Sequence, residues 1–583
     1  MNWRLAALGL AVTLAGCSYL DLGPEPSNSI GPRPAGPESL TDPGLSAVTP
    51  TATGATVALP GSGAIPGTMP SATQPTTTEP ASGPAATNPA LTPGLGAGVG
   101  GLAPSSGHVT IPAQLTVQEA ILVGLQNNVG LRVQKYNVPI SRAQVESQRA
   151  AFDPALSGSI QGGRSATPTG GGNNPPARYT DQIDATLGIQ EFLPTGTTIS
   201  GEYTTSNSFY SDHTSSSRTQ LSVTQALLRG AGLDVNLASL RSAEISTKIS
   251  QYELRAFAEQ LVDNIEETYW DLAYAERQVL IVQNALDFAK QQLQQTMTNI
   301  QVGKIAQSEE AAAQAQVALE EEGLINAKST LETTRLQFLR LISPAGEPFW
   351  DRTFTVETQP FIPTGAMDPV EKHVDVAMRL RPDLNEAKLE VQRGDLTVVQ
   401  TKNGLLPQLD FFVTLGKTGY ANSFGQTIPA LNGDEYDVLA GVRGSYDLGN
   451  RAAHASYQQS LLSRDQLIDT LNNLRQTVQI DVRTQYIEVE RTRQQIDATR
   501  ATRIAQEEAL RVESAKLQSG RSTSLLVAQA QNNLLSAQLS EVQAVTQHLK
   551  ALTALYRLEG SLLIRRGLEA PGAAPVQGPG WLH

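Results

Sequence analysis

The sequence predicts a mainly α chain with a small β part, built from long antiparallel coiled-coil helices and a set of β-strands that several chains share in one closed transmembrane wall. Three observations carry this. Two long stretches, between Gly232 and Gly303 and between Gly449 and Gly520, hold no internal Gly or Pro. Within them apolar residues recur at steps of three and four. At the other end of each stretch the period falls to two.

The chain begins with an export pattern. Arg4 supplies a positive charge, and Leu5 to Ala15 form an apolar run too short to span a bilayer as a helix. The run ends in Leu14-Ala15-Gly16-Cys17, which matches the bacterial lipobox. Its chemistry predicts removal of residues 1–16, a diacylglycerol on the Cys17 thiol and an acyl chain such as palmitate on the new amine. Several acyl chains make a stable anchor in lipid. Ser18 follows where an inner-membrane retention signal would carry aspartate, so the outer membrane is the expected destination, with the rest of the chain in the periplasm.

Residues 17–112 then read as a tether. From about Asp21 the composition is Pro, Gly, Ala, Ser and Thr, which cannot bury enough surface to offset chain entropy. As a flexible coil, ~90 residues span roughly 50 Å.

The remainder is a duplication. Leu131, Pro154 and Leu156 recur as Leu384, Pro407 and Leu409, at an offset of 253. Gly303, Ala311, Ala313, Gln314, Arg340 and Leu341 recur as Gly520, Ala528, Ala530, Gln531, Arg557 and Leu558, at an offset of 217. Two constant offsets mean two copies of one unit, at 113–345 and 346–562. Their difference, 253 − 217, is an insertion of 36 residues in the first copy between Leu156 and Gly303. The last segment, 563–583, is expected to be a disordered tail.

Each copy carries one very long helix. Seventy residues at ~1.5 Å each give roughly 105 Å, against about eleven residues for an ordinary helix. Leu254, Phe257, Leu261, Asn264, Thr268, Leu272, Ala275, Val279, Val282 and Leu286 keep a 3.5-residue repeat, the mark of coiled-coil packing. Leu467, Leu471, Leu474 and Val478 open the same pattern in the second copy, and Val482, Tyr486 and Val489 continue it one residue out of phase. Gln, Glu, Arg, Ser and Thr fill the other positions, so these helices stand in water. Gly303 and Gly520 separate each long helix from a second one, at about 304–343 and 521–559, and permit the left-handed backbone that reverses the chain.

The strands follow from the other period. Leu409, Phe411, Val413 and Leu415 alternate with Asp410, Phe412, Thr414 and Gly416; Val438, Ala440 and Val442 do the same. In the first copy Leu221 and Val223 alternate, with a weaker partner at Leu156 to Gly163. About ten alternating residues suit a strand with lipid on one side and a wet lumen on the other. Four such strands cannot close a barrel, and open edges cannot sit in lipid, so several chains combine. The insertion adds a hairpin: Ile183, Ala185, Leu187 and Ile189, a turn at Pro194-Thr195-Gly196, then Ile199, Gly201 and Tyr203. It either extends above the membrane as an extracellular ribbon or enters the barrel and gives a trimer more than 12 strands, and a ribbon or strand extension is the preferred reading.

Leu115-Thr116-Val117-Gln118-Glu119-Ala120-Ile121 with Leu125-Gln126-Asn127-Asn128, and Ala150-Ala151-Phe152-Asp153-Pro154-Ala155-Leu156, resemble the opening of the TolC-like outer membrane efflux proteins. Val302-Gly303-Lys304-Ile305 and Ser519-Gly520-Arg521 are similar to their helix tips. Gln225 to Gly232 and Tyr446-Asp447-Leu448-Gly449-Asn450-Arg451 resemble their strand-to-helix junctions. The resemblance covers about 115–560. It implies a homotrimer, a 12-stranded outer-membrane barrel continuing into a 12-helix periplasmic tunnel, that works with a periplasmic adaptor (membrane fusion) protein and an inner-membrane pump or secretion ATPase.

It also implies roles for single residues. Val302, Gly303 and Lys304 in one hairpin, and Ser519, Gly520 and Arg521 in the other, occupy the tips where adaptor hairpins dock. Glu309 matches an acidic position that latches neighbouring helices, with Arg521 its expected partner. Some members ring the tunnel mouth with aspartates just after the second tip. Leu526 and Gln529 stand there in this chain, so an acidic, cation-binding mouth is not expected.

Composition excludes other classes. A net charge of −13 argues against nucleic acid as a partner. One cysteine and six histidines without an i,i+4 pair leave no motif for a metal site or a catalytic triad. Neither a cofactor nor enzymatic chemistry is expected. The rival reading is an envelope spacer, a coiled-coil lipoprotein without a pore, which explains the helices and the lipobox but not the strands or the duplication.

Overall fold

The computed structural model describes residues 31–32 and 112–576, apart from 169, 171–176, 209–213, 345, 347–349, 351, 353, 363–364 and 366. The expected leader at 1–16, Cys17, nearly all of the expected tether and the end of the expected tail lie outside the described residues. After β1 (Gly31–Pro32) and β2 (Gln114–Leu115), the first repeat runs through α1 (Val117–Asn127), α2 (Val129–Lys135) and α3 (Asn137–Arg149). Strands β3 (Ala155–Pro168), β4 (Ala177–Leu193), β5 (Thr197–Ser208) and β6 (Thr214–Ala226) follow, then α4 (Leu233–Asn236), α5 (Ala238–Gln301) and α6 (Ser308–Ile342). The second repeat opens at β7 (Thr355–Val356), α7 (Val370–Leu380) and α8 (Pro382–Gly404). It continues as β8 (Gln408–Ala421), α9 (Phe424–Ala430), β9 (Tyr436–Ser445), α10 (Arg451–Gln518) and α11 (Ser524–Leu558), and the C-terminal segment after it holds α12 (Leu562–Arg565) and β10 (Leu568–Glu569).

The duplication holds in the structure. The starts of α1 and α7, Val117 and Val370, are separated by the larger offset, as are the starts of β3 and β8, Ala155 and Gln408. The ends of α5 and α10, Gln301 and Gln518, are separated by the smaller one. The surplus in the first repeat is the β4–β5 hairpin. α5 is 64 residues long and α10 is 68, close to the uninterrupted stretches of the sequence. Thr116 starts the first repeat with a capping box, its hydroxyl accepting from the Glu119 amide while the Glu119 carboxylate accepts from the Thr116 amide.

Most of the core lies where α1, α5, α6 and α11 cross. Leu115, Ile121, Leu254, Ile265, Trp270, Phe338 and Leu339 are buried there, around Tyr269, whose hydroxyl donates to Leu115 O at 2.8 Å. That bond ties the short parallel pair β2–β7 to the middle of α5.

The C-terminal segment corrects the expectation of a disordered tail from 563, over its described part. Leu563 and Leu568 are buried in the same core, and the Arg566 guanidinium forks onto the Glu266 carboxylate at 2.6 and 2.7 Å. β10 pairs with β1, and Tyr252 donates to Ala574 O. A segment rich in Gly, Ala and Pro is fixed because two leucines and one arginine find partners on α5.

Six strands form one antiparallel sheet in the order β3-β4-β5-β6-β8-β9. The preferred ribbon reading of the inserted hairpin is therefore corrected. Register shows why: Leu156 pairs with Ile189, Ile189 with Gly201, Gly201 with Leu221, Leu221 with Leu415 and Leu415 with Val438. The hairpin lies beside the other strands at the same level, not beyond them.

Candidate functional site: a two-faced sheet and two helix tips

Directly paired residues share a face of a sheet, so the register assigns every side chain. One face carries Leu156 and Ile160 on β3, Ile183, Leu187 and Ile189 on β4, Ile199 and Tyr203 on β5, Leu221 and Val223 on β6, Val413 and Leu415 on β8, and Val438 and Val442 on β9. Many are bare to solvent in the single chain; Ile160 is 82% exposed and Leu156 74%. The opposite face carries Ser157, Gln161, Gln182, Asp184, Thr186, Ser200, Glu202, Thr204, Gln220, Ser222 and Thr414. An apolar face of this kind is unfavourable in water and suits hydrocarbon.

Charged side chains end the apolar band on the side away from the helices. Arg164 and Asp181 face each other at 2.6 Å on the apolar side, eight positions along β3 from Leu156. On β8 Lys417 ends the apolar run directly after Leu415. Eight residues at ~3.3 Å with a tilt of ~40° give a band about 20 Å tall. On the polar face Arg218 crosses over β8 to Asp437, both bonds 2.8 Å. Gly416 makes that crossing possible, since a Cβ there would lie 2.4 Å from Arg218 Nη2. Phe412, a large apolar side chain on this face of β8, is covered by the Arg443 guanidinium at 5.7 Å from its ring centre.

The lower end of the sheet is pinned to the helices. Asn236 Nδ2 donates to Pro194 O at 3.0 Å and to Gly230 O at 2.9 Å, and the Gly232 amide donates to Thr195 O. Asn403 Oδ1 accepts from the Gly230 amide. Gly196 has φ +86° and a Cβ there would sit 2.3 Å from Gly230 O, so both conformation and space require glycine. These pins were missed from the sequence, although Pro194-Thr195-Gly196 marked the turn.

At the far ends of the long helices the two tips are built alike. Gly303 has φ +74° and Gly520 φ +73°. The Lys304 amide donates to Asn299 O and the Arg521 amide to Lys516 O, each at 2.8 Å, which closes the last helical turn. Val302, Gly303, Lys304, Ser519, Gly520 and Arg521 are all exposed, and a Cβ on either glycine meets nothing within 4 Å. Backbone conformation alone demands these glycines. Among the described residues Glu309 and Arg521 form no ion pair with each other. Leu526 and Gln529 are exposed at the start of α11, where the Thr523 hydroxyl caps the helix.

Above the tips a groove of about 340 Å³ runs between α5, α6 and α11, lined by Phe288, Ala312, Ala315, Leu319, Leu525 and Ala528. The alanine run 311–313 gave a signal for it, but its third wall comes from the second repeat, far along the chain. Just beyond it Gln316 Nε2 donates to Asn532 at 3.0 Å and to the buried Glu320 carboxylate at 2.8 Å, joining the two hairpins. Burial pushes Glu320 above the usual carboxylate range.

Among the described residues no cluster of three or more His, Cys, Asp or Glu could hold a metal ion, and no helix is long and apolar enough to cross a membrane. The latter says nothing of a β-barrel.

A family model described as outer membrane efflux protein matches residues 123–343 and 374–561, one segment in each repeat. No curated protein sequence matches the chain. Among solved structures, the fold is similar to the Campylobacter jejuni CmeC outer membrane channel, with TM-score 0.58, 15% identity, and 76% of this chain and 86% of that one covered. It is similar also to the outer membrane protein VceC of Vibrio cholerae, with TM-score 0.56, 15% identity, and 76% and 96% covered. The open state of the Neisseria gonorrhoeae MtrE outer membrane channel gives TM-score 0.54, 18% identity, and 77% and 90% covered. At these identities the likeness is one of fold.

Proposed function

This chain belongs to the outer membrane efflux protein family, and from that premise we propose that three copies form a passive outlet that carries cargo across the periplasm and outer membrane for an inner-membrane pump or secretion ATPase. One observation supports this above the rest. A single apolar face runs unbroken across all six strands, while β3 and β9 leave the two outer edges of the sheet unpaired. Open edges are not tolerated in hydrocarbon. Because the strands alternate in direction, β9 of one copy meets β3 of the next antiparallel, and three copies close the wall.

The helices extend the conduit downward. α5 and α10 stand about 100 Å tall at ~1.5 Å per residue. Their tips offer exposed backbone at Gly303 and Gly520 beside Lys304 and Arg521, which suits docking of a periplasmic adaptor through close backbone approach and charge complementarity. Glu309 in the first turn of α6 and Arg521 in the α10–α11 turn act as a latch on the mouth. The adaptor opens the mouth by binding the open arrangement better than the closed one, with energy supplied by the pump. Cys17, once acylated, adds an anchor in outer-membrane lipid.

Conductance of purified trimers in planar bilayers tests the outlet. Discrete channel steps are expected, with Glu309→Lys and Arg521→Glu each changing resting conductance. Folded trimers that never conduct would contradict the outlet, and unchanged conductance in both variants would remove the latch. Gly303→Trp with Gly520→Trp should abolish export while trimers persist; intact export would remove the docking assignment.

A further inference from the structure

We infer that the outlet is an eighteen-stranded barrel, and that the inserted β4–β5 hairpin sets its width for bulky hydrophilic cargo. The inference rests on the three-copy wall proposed above and goes beyond it, because the family resemblance implied twelve strands.

Four features of the hairpin make it wall rather than ornament. Its register is continuous on both sides: β4 pairs with β3 from Ala177 to Gln190, and β5 pairs with β6 along its whole length. Its apolar residues fall in the band of the neighbouring strands, with Ile183, Leu187, Ile189, Ile199 and Tyr203 on the same face as Leu221 and Val413. Its turn is held at the helical end by Asn236 and Gly232, so it cannot slide outward without breaking those bonds. A hairpin also adds two strands of opposite direction, which keeps β6 running down into α5 and leaves β9 antiparallel to the next β3.

A ribbon standing free in water would have no use for an apolar band on one side. In register with the wall, that band meets lipid and its opposite face meets the lumen. The hairpin brings Gln182, Thr186, Ser200, Thr204 and Ser206 to that lumen face, with Asp184 and Glu202 as its acids. The added wall is mostly hydroxyl and amide, a lining for hydrated solutes.

Width follows from count. Barrel diameter grows roughly linearly with strand number, so eighteen strands make an outlet about 1.5 times as wide as twelve, and walls of 16–18 strands leave an aqueous channel. In cross-section this is roughly a doubling. The helical end supplies four helices per chain at this junction, α3, α5, α8 and α10. Four helices at ~9 Å occupy about the same arc as six tilted strands at ~6 Å, so the wider barrel meets the tunnel without a step.

Two experiments decide it. Spin labels are attached at single cysteines in full-length trimers carrying Cys17→Ser. Labels at Ile183, Leu187, Ile199 and Tyr203 should be accessible to oxygen from hydrocarbon. Labels at Asp184, Thr186, Ser200 and Thr204 should be accessible to a water-soluble nickel reagent, and Val413 and Thr414 serve as the control pair. If the control pair alternates and both hairpin sets are water-accessible, the hairpin stands outside the membrane and the eighteen-strand barrel is wrong while the outlet survives. If the control pair also fails to alternate, the outlet itself is wrong. In the second experiment residues 177–208 are deleted, which joins β3 to β6 in the correct relative direction. The largest polyethylene glycol that enters from the barrel side and lowers conductance should shrink in radius by about a third. An unchanged cut-off overturns the role of the hairpin in setting width.

Discussion

α5 and α10 are copies of one helix, yet they end in opposite surroundings. Trp270 on α5 is 2% exposed, packed edge-on against Tyr269 and near Phe361. Ile487, the equivalent position on α10, is 65% exposed. α5 packs against α1, α3, α6, α8 and α11 within its own chain, whereas α10 packs mainly against α8, α11 and α7. Leu471, Val478, Val482, Val489 and Ile496 bury one side of α10. Leu462, Ile480, Ile487 and Ile504 stay bare on another, spaced to share one line at a 3.5-residue repeat. The same heptad text therefore reads as core in the first copy and as waiting surface in the second. On the proposed assembly a neighbouring chain covers that line.

Charges placed on the bare line separate the two helices most. Ile480→Asp with Ile487→Asp should cost more than tenfold in trimer at micromolar chain, read by mass photometry, while the single chain keeps its helical circular dichroism. Trp270→Ala should do the reverse, lowering the stability of the chain by about 4 kcal/mol in denaturant melts. Intact trimers in the α10 variant would mean that its bare face is not an interface.

The glycines extend the comparison to the sheet. Gly196→Ala meets both a positive φ and the Gly230 carbonyl, and should cost about 3 kcal/mol and loosen the hairpin. Gly303→Ala and Gly520→Ala meet only the conformational term, about 1 kcal/mol each, equal in the two repeats. Unequal costs at the two tips, read in chemical denaturation of otherwise identical chains, would show that the repeats diverge there.

The smallest effect separates the repeats by charge. Glu386 on α8 occupies the place of Val133 in the first repeat. Burial, then Glu253, Asp383 and Glu390, push its carboxyl up from 4.5 to about 7. A raised carboxyl favours the folded state when protonated, so its contribution is present below pH 4.5 and is lost as pH rises through about 7. Glu386→Gln should flatten that slope by about 1 kcal/mol once solvent screening is allowed for. Melts across pH 4.5 to 7.5 with parallel curves for both proteins would contradict it.

How much of this was legible depended on range along the chain. The long helices and their tips are local: an uninterrupted heptad run and one glycine of positive φ declare themselves, and α7 and β8 fall on the predicted offset to the residue. The hairpin at 177–208 was visible as a hairpin, but its place was not. Ile183, Ala185 and Leu187 alternate identically in a ribbon and in a wall, and only pairing with Leu156 and Leu221 distinguishes them. The anchored C-terminal segment was hidden for a similar reason, since Arg566 and Leu568 matter only through Glu266 and the α5 core. The groove beside Ala312 and Ala528 needs three helices from both repeats. Docking and latch residues were named from resemblance, and a single chain sets them at exposed tips without the neighbour they would touch.

Particle mass of the full-length chain in mild detergent bears most directly on the shared wall. Three chains per particle, with helical and sheet signals intact, is the predicted result. A fully folded single chain, stable with β3 and β9 unpaired, would contradict it.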